Sequence, residues 1–199
     1  MGRGRQRGGG TRPARRGPAG LRLFVALDPP AHVRHELAGW VREQRGALPG
    51  VRPVPEEHLH VTLAFLGERP PSEVDPIAAA VVAAATTGAA ADLGVGAPLW
   101  LPPRRPRVLT VEVHDDRGDL RALQADVASA LDAAVGWRED RAFRPHLTLG
   151  RLRPEAGRQR SAPAATPALR FDGEAVTLYR SLLEPTGARY VAVERVLLG

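Results

Sequence analysis

The sequence predicts a mixed α/β protein built from two similar halves. Apolar, β-prone runs alternate with segments whose apolar residues recur at spacings of three and four, which is typical of amphipathic helices. A strand–helix–strand order occurs twice, and His60-Val61-Thr62-Leu63 in the first unit returns as His146-Leu147-Thr148-Leu149 in the second. The opening strands start at Arg22 and Arg107, which lie 38 and 39 positions before the respective histidines. These matching offsets indicate an internal duplication, whose halves would pack around one shared cleft.

The first half is predicted to alternate strands and helices, with the first motif in its second strand. In the predicted first helix, Val33, Leu37, Trp40 and Val41 form the apolar face. The prolines and glycine of the segment before the motif favour a loop. In chain order we expect a strand over 21–27, a helix from Pro30 to about Gly46, a loop over 48–55, a strand over 59–66 that stops at Gly67, and a helix over 72–85.

The second half is predicted to repeat this order and to add two closing strands. Its helix is marked by Leu120, Leu123, Val127 and Leu131. In chain order we expect a short strand or extended segment over 93–101, a strand over 107–113, a helix over 119–135, a strand over 147–152, a loop to about Pro167, and strands over 175–183 and 190–197.

Composition limits the class of protein. A chain of 199 residues suits one domain, or two small lobes that share a core. The absence of cysteine excludes disulfides and thiol chemistry and is compatible with the cytoplasm, where we expect the protein. No segment is suited to spanning a membrane.

The positive charge of the chain is concentrated at its start. All 28 basic residues are arginines, and the net charge of +6 equals the six arginines of the first twenty residues. Residues 1–20 have almost no large apolar side chain, so we expect a disordered tail. This tail is either a dispensable extension or an Arg/Gly segment with nonspecific affinity for RNA.

The repeated motif carries the chemistry. Side chains alternate across a strand, so each copy presents a histidine and a threonine on one face. Two such strands at one cleft supply two imidazoles and two hydroxyls, which suits acid–base chemistry on a small anion. The same alternation puts Ala64 and Gly150 on the cleft face, where a small residue would leave the floor open. Two histidines could also bind zinc, but no third ligand is placed consistently near both motifs, so we expect no metal or cofactor.

The motifs and their surroundings resemble one known superfamily, the 2H phosphoesterases, and in particular the RNA 2′,3′-cyclic phosphodiesterases once called 2′-5′ RNA ligases. The resemblance spans residues 21–199 and rests on four segments: 22–27, 60–67, 143–151, and 178–181 with 187–190. It implies a bilobal fold with antiparallel sheets around a central cleft and helices outside. It also implies a monomer that hydrolyses a 2′,3′-cyclic phosphate on RNA or a nucleotide to a 2′-phosphomonoester, without metal.

The resemblance also implies roles for individual residues. His60 would protonate the departing 3′ oxygen, and His146 would take a proton from the attacking water. Thr62 and Thr148 would donate hydrogen bonds to the phosphate oxygens. Arg151 and Phe65 would bind substrate. In the family, the arginine at the first position binds phosphate, and the aromatic residue at the second lies near the nucleobase.

Strict alternation argues against two of these roles. Arg151 falls on the wrong face unless a bulge at Gly150 turns it inward, and Phe65 falls on the core side. Arg144 has the right parity but precedes Pro145, and His58 shares the face of His60 without a catalytic role. Tyr179 and Tyr190 either line the cleft or pack the closing strands.

Two other functions remain compatible with the sequence. A different enzyme of the superfamily would act on a small cyclic nucleotide or a 2′-5′ linked oligonucleotide, because the motifs bind only the phosphate. A noncatalytic RNA-binding module would use the arginine tail and the cleft.

Overall fold

The structure is a computed structural model that describes residues 20–153, 163–184 and 187–199. The predicted tail lies outside the described residues except for Gly20, as do residues 154–162 of the predicted loop. Within the described part of the chain the strands are β1 (Leu21–Asp28), β2 (Val51–Pro53), β3 (Val61–Arg69), β4 (Leu93–Leu101), β5 (Val108–His114), β6 (His146–Leu152), β7 (Arg170–Phe171), β8 (Ala175–Glu184) and β9 (Gly187–Leu197). The α-helices are α1 (Ala31–Glu43), α2 (Val74–Thr86) and α3 (Asp119–Val135).

The strands form one sheet in which every pairing is antiparallel. Their order is β7-β4-β5-β6-β3-β1-β8-β9, and β2 pairs with β6. The strands that carry the two motifs, β3 and β6, are therefore the central neighbours. They pair at a single position, Val61 with Leu147, the residues directly after the two histidines.

The helices pack their apolar faces on the sheet, and α2 and α3 also pack against each other. Buried residues of α1 and α3 include Leu37, Trp40, Leu123 and Leu131, which belong to a core shared with β1, β3 and β6. Burial of each such leucine stabilises the fold by about 1.5–3 kcal/mol. At the start of α3 the Asp115 carboxylate accepts hydrogen bonds from the backbone N–H groups of Leu120 and Arg121, at 3.2 and 3.0 Å. These bonds satisfy two of the donors that a helix leaves free.

Most predicted elements are confirmed within one to three residues, and the exceptions are at strand edges. The predicted loop over 48–55 contains β2, which pairs with β6 although it is only three residues long. β3 continues past Gly67, which has a φ of +71°, to Arg69 because Leu21 and Arg22 of β1 pair with that end. The two-residue strand β7 was not predicted, since such a short segment has no periodicity.

No helix among the described residues is long and apolar enough to cross a membrane.

Candidate active site

Each motif histidine is held by an equivalent hydrogen bond to a backbone carbonyl. The Nδ1 atom of His60 lies 2.8 Å from the carbonyl oxygen of His58, and Nδ1 of His146 lies 2.7 Å from the carbonyl oxygen of Arg144. A carbonyl can only accept, so each Nδ1 carries the proton and donates. The other ring nitrogen, Nε2, is therefore the one left for chemistry in both copies.

The β3–β6 register brings the two motifs together. Since Val61 pairs with Leu147, the same register places His60 opposite Thr148 and Thr62 opposite His146. Directly opposed residues of an antiparallel pair lie about 4.5–5.5 Å apart. His146 lines a neighbouring cavity, and the other three residues, His60, Thr62 and Thr148, line one cavity together. Within it, Nε2 of His60 lies 3.1 Å from Oγ1 of Thr62. Among the described residues no such bond joins His146 to Thr148.

Each motif is followed by a β-bulge at its leucine. Between Val25 and Ala26 of β1 the partner in β3 changes from Ala64 to Thr62, which leaves Leu63 as an extra residue. Leu149 is extra in the same way, between Gly150 and Thr148 of β6. An extra residue reverses the alternation beyond it, so the side chain five positions after each histidine turns to the cleft. The structure thus brings both Phe65 and Arg151 to the cavity beside His60.

The bulges correct the predicted cleft floor. Ala64 is 2% exposed and belongs to the core, because it follows the bulge at Leu63. Gly150 is also buried, and a Cβ there would lie 2.5 Å from Cγ1 of Val51 and 3.3 Å from the carbonyl oxygen of Arg52. The prediction that these residues open the cleft was therefore wrong. Gly150 instead permits the close approach of β2.

We call the space beside His60 the His60 cavity. It has a volume of about 300 Å³. Phe65, 40% exposed, lies on its wall, and the guanidinium carbon of Arg22 is 4.9 Å from the centroid of its ring. The lining residues are Arg22, Phe24, Val54, His58, His60, Thr62, Phe65, Thr148, Arg151, Ser181, Leu183, Ala188 and Tyr190.

Aromatic rings enclose His60. Its ring centroid lies 4.9 Å from that of Phe24 and 5.5 Å from that of Tyr190, which meets it edge-on. This burial lowers the pKa of His60 to about 4, and the positive charges of His58, Arg151 and His146 act in the same direction. His60 is therefore neutral at pH 7 in the free protein, and its Nε2 accepts the hydrogen bond from Thr62.

A buried polar group supports this aromatic wall from behind. Tyr179 stacks on Phe24 at 5.2 Å, and its hydroxyl donates to the Asp28 carboxylate at 3.0 Å. Thr177 donates to the same carboxylate at 2.7 Å. Burial raises the pKa of Asp28, and burial together with the Asp28 charge raises the pKa of Tyr179 to about 12. The tyrosine thus stays neutral and fixed against Phe24.

His146 borders a space whose wall carries carboxylates. It lies on the wall of a neighbouring cavity of about 510 Å³, with Arg144, Glu112 and Asp116. Arg144 therefore holds His146 through its carbonyl, while its side chain lies outside the His60 cavity. No three His, Asp or Glu side chains in residues 20–153, 163–184 and 187–199 are grouped as metal ligands.

Several cavity residues were missed by the sequence analysis or left undecided there. Arg22 and Phe24 alternate along β1 and belong to a segment that the family resemblance already singled out. Ser181 pairs with Tyr190 across β8 and β9, and both line the cavity. The alternation of side chains along the two closing strands could have placed both residues on the cavity face. Tyr179 packs behind Phe24, which decides between the two predicted roles of the tyrosines.

The chain is similar to one family of known proteins. A family model described as the 2′-5′ RNA ligase superfamily matches residues 29–184. The RNA 2′,3′-cyclic phosphodiesterase of Thermus thermophilus is 35% identical over 188 residues, covering 89% of this chain and 90% of that protein. The protein of the same name from Archaeoglobus fulgidus is 34% identical over 134 residues, covering 67% and 73%.

Solved structures give the same picture. A crystal structure of a Thermus thermophilus protein matches with a TM-score of 0.73 and 32% identity, covering 89% of this chain and 97% of that chain. LigT of Escherichia coli in complex with 3′-AMP matches with a TM-score of 0.69 and 26% identity, covering 90% and 98%. The predicted fold class is confirmed.

Proposed function

Since the chain belongs to the 2′-5′ RNA ligase superfamily, we propose that it hydrolyses 2′,3′-cyclic phosphate ends of RNA to 2′-phosphomonoesters with two histidines and no metal ion. The relatives named RNA 2′,3′-cyclic phosphodiesterase support the reaction class. The observation that carries the mechanism is the shared hydrogen bond from Nδ1 to the carbonyl two residues earlier. It leaves Nε2 of each ring available for proton transfer, and the two strands pair at the residue after each histidine.

The proposed reaction is an in-line displacement at phosphorus. Nε2 of His146 takes a proton from water as the water oxygen bonds to phosphorus. The bond from phosphorus to the 3′ oxygen breaks, and Nε2 of His60 gives that oxygen a proton. Thr62, Thr148 and Arg151 donate to the nonbridging oxygens, where negative charge develops in the transition state.

His60 must gain a proton before it can act as the acid. In the free protein its pKa is lowered to about 4 by burial. A bound phosphodiester brings a negative charge next to the ring, and a nearby opposite charge raises the pKa of a histidine. The substrate thus supplies the charge that the aromatic wall lacks. The pKa of His60 that governs kcat, which reports the complex, should therefore be higher than the one that governs kcat/KM, which reports the free protein.

The test uses adenosine 2′,3′-cyclic phosphate and an RNA with a 2′,3′-cyclic phosphate end, both in EDTA. We expect a 2′-phosphomonoester from both, and loss of product in the His60→Ala plus His146→Ala double variant. His32→Ala, which changes an exposed histidine on α1, is the matched control and should keep full activity. Loss of activity in EDTA would refute the metal-free mechanism, and an active double variant would refute the roles of the histidines.

A further inference from the structure

A second cavity continues from the His60 cavity. It has a volume of about 400 Å³, compared with about 300 Å³ for the cavity beside His60. The two cavities share five lining residues, Val54, His58, Arg151, Ala188 and Tyr190. We propose that this second cavity binds the nucleotide that precedes the cyclic end of an RNA chain, and that Arg52 binds the connecting phosphodiester. The inference rests on the proposed function.

The charges of the second cavity favour a phosphodiester. Its lining includes Arg52, Arg151 and Arg189 against Glu57 and Glu184. Arg189 is neutralised by Glu184, whose Oε1 lies 2.7 Å from its Nε. Arg52 forms no ion pair with a carboxylate in the described part of the chain, so its charge remains available to a ligand. A guanidinium fits a phosphate with two parallel hydrogen bonds.

Backbone geometry holds Arg52 at this cavity. Arg52 lies on β2 and pairs with Arg151 of β6. Its guanidinium lies over Gly187, where a Cβ would be 3.2 Å from one of its nitrogens. Gly187 has a φ of +134°, which favours glycine, so the surface beneath the guanidinium stays open. Two arginines thus lie side by side along the path from one cavity to the next.

The boundary between the cavities is aromatic. The rings of His58 and Tyr190 lie 4.6 Å apart, and both side chains line both cavities. Flat rings beside a cationic groove are a common way to hold single-stranded RNA, because bases stack on them without regard to sequence.

The cavity beside His146 is a poorer route for the chain. It is larger, at about 510 Å³, but its wall carries the carboxylates of Glu112, Asp115 and Asp116 against two arginines. One of these, Arg121, is paired with Asp115 at 3.1 Å. Asp116 lies 3.8 Å from Arg170, and Glu112 balances Arg144, so this wall offers a phosphodiester no excess positive charge. Charge therefore distinguishes the two exits.

The test compares kcat/KM for adenosine 2′,3′-cyclic phosphate with that for a dinucleotide ending in the same group. We expect the dinucleotide to be favoured about tenfold, the factor that one added charge-assisted contact gives. Arg52→Gln should remove most of that preference, because it should lower kcat/KM for the dinucleotide alone. The mononucleotide has no preceding phosphodiester for Arg52 to bind. Arg52→Gln should also weaken the salt dependence of dinucleotide binding by about one phosphate contact.

Arg104→Gln is the matched control, since Arg104 is an exposed arginine in the turn between β4 and β5. It should leave the preference unchanged. Equal kcat/KM for the two substrates, or a preference that survives Arg52→Gln, would overturn the second binding site. Failure to hydrolyse either substrate would instead refute the proposed function, so the two results are distinguishable.

Discussion

The two halves of the site share a backbone and differ in side chains. Each has a histidine held by a carbonyl two residues earlier, a threonine, and a bulge at the next leucine. The residue that the bulge turns inward is Phe65 in one half and Arg151 in the other. The repeated backbone thus provides two reactive nitrogens, while the position five residues after each histidine provides a flat surface on one side and a charge on the other.

The surroundings of the two histidines differ as well. His60 lies among Phe24, Tyr179 and Tyr190, whereas His146 borders a cavity that carries charged side chains. A symmetric pair of imidazoles would not have an assigned acid and base. The two rings therefore differ in their surroundings and not in their motifs, and a difference in role between them would have to come from those surroundings.

The largest expected effect separates the two histidines by the leaving group. On a cyclic phosphate, His60→Ala and His146→Ala should each lower kcat by about 10³-fold, and the double variant by little more. Thymidine 3′-(4-nitrophenyl phosphate) releases a phenolate that needs no proton. Its hydrolysis should therefore largely survive His60→Ala and fail in His146→Ala, as measured by release of 4-nitrophenolate. The opposite pattern would reverse the two roles.

The next effect compares the two inward residues after the bulges. Arg151→Gln should lower kcat/KM by about 10²-fold on every substrate, because a donor to the transition state is lost. Phe65→Leu should lower it by about tenfold on a nucleotide, the scale of one base-stacking contact. A methyl riboside 2′,3′-cyclic phosphate, which has no base, should respond to Arg151→Gln alone. Equal sensitivity to Phe65→Leu with and without a base would contradict base stacking.

A smaller effect concerns stability and follows from the aromatic wall. Because the pKa of His60 is about 4 in the fold and near 6.5 in the unfolded chain, the unfolded chain binds its proton more readily. The contribution of neutral His60 is complete above pH 6.5 and is lost as the pH falls toward 4, by about 3 kcal/mol in total. Urea unfolding of the wild-type protein and of His60→Gln should show it. Parallel pH dependences of the two proteins would contradict the lowered pKa.

The smallest effect compares how the two bulges are completed. The carbonyl of Leu63 accepts from the Gln124 side chain at 3.3 Å, whereas the carbonyl of Leu149 accepts from the backbone N–H of Val54 at 2.9 Å. Gln124→Leu should therefore lower the free energy of unfolding by about 1 kcal/mol, because a buried acceptor loses its donor. Val54→Pro removes the donor of the second bulge. Thermal unfolding of the wild-type protein and both variants gives the loss of Tm that each substitution causes. An unchanged Tm for Gln124→Leu would contradict the role of Gln124.

The sequence predicted most elements because helices and central strands carry long periodic patterns. Helix α3 matches the predicted range of 119–135, since its four core leucine and valine positions recur regularly. β2 is only three residues long and lies among prolines, so its pairing depends on β6 rather than on its own sequence. Short strands of this kind are specified by tertiary contacts.

The polar residues of the motifs follow the predicted alternation, and the bulges after them interrupt it. Alternation correctly placed His60 and Thr62 on one face, but one extra residue at Leu63 reversed it for Ala64 and Phe65. The repeat contained the missing signal. A bulge was required to turn Arg151 inward, and Phe65 occupies the same position in the other copy. Applied to both copies, that requirement would have placed Phe65 in the cavity.

The single register pair between the halves has a further consequence. Within the described residues, β3 and β6 are joined only where Val61 faces Leu147, and both side chains are fully buried. A small rotation about this pair would change the separation of the two Nε2 atoms without breaking any other ladder hydrogen bond. In the proposed mechanism, the separation of the two proton-transferring nitrogens would therefore depend on how two buried aliphatic side chains pack.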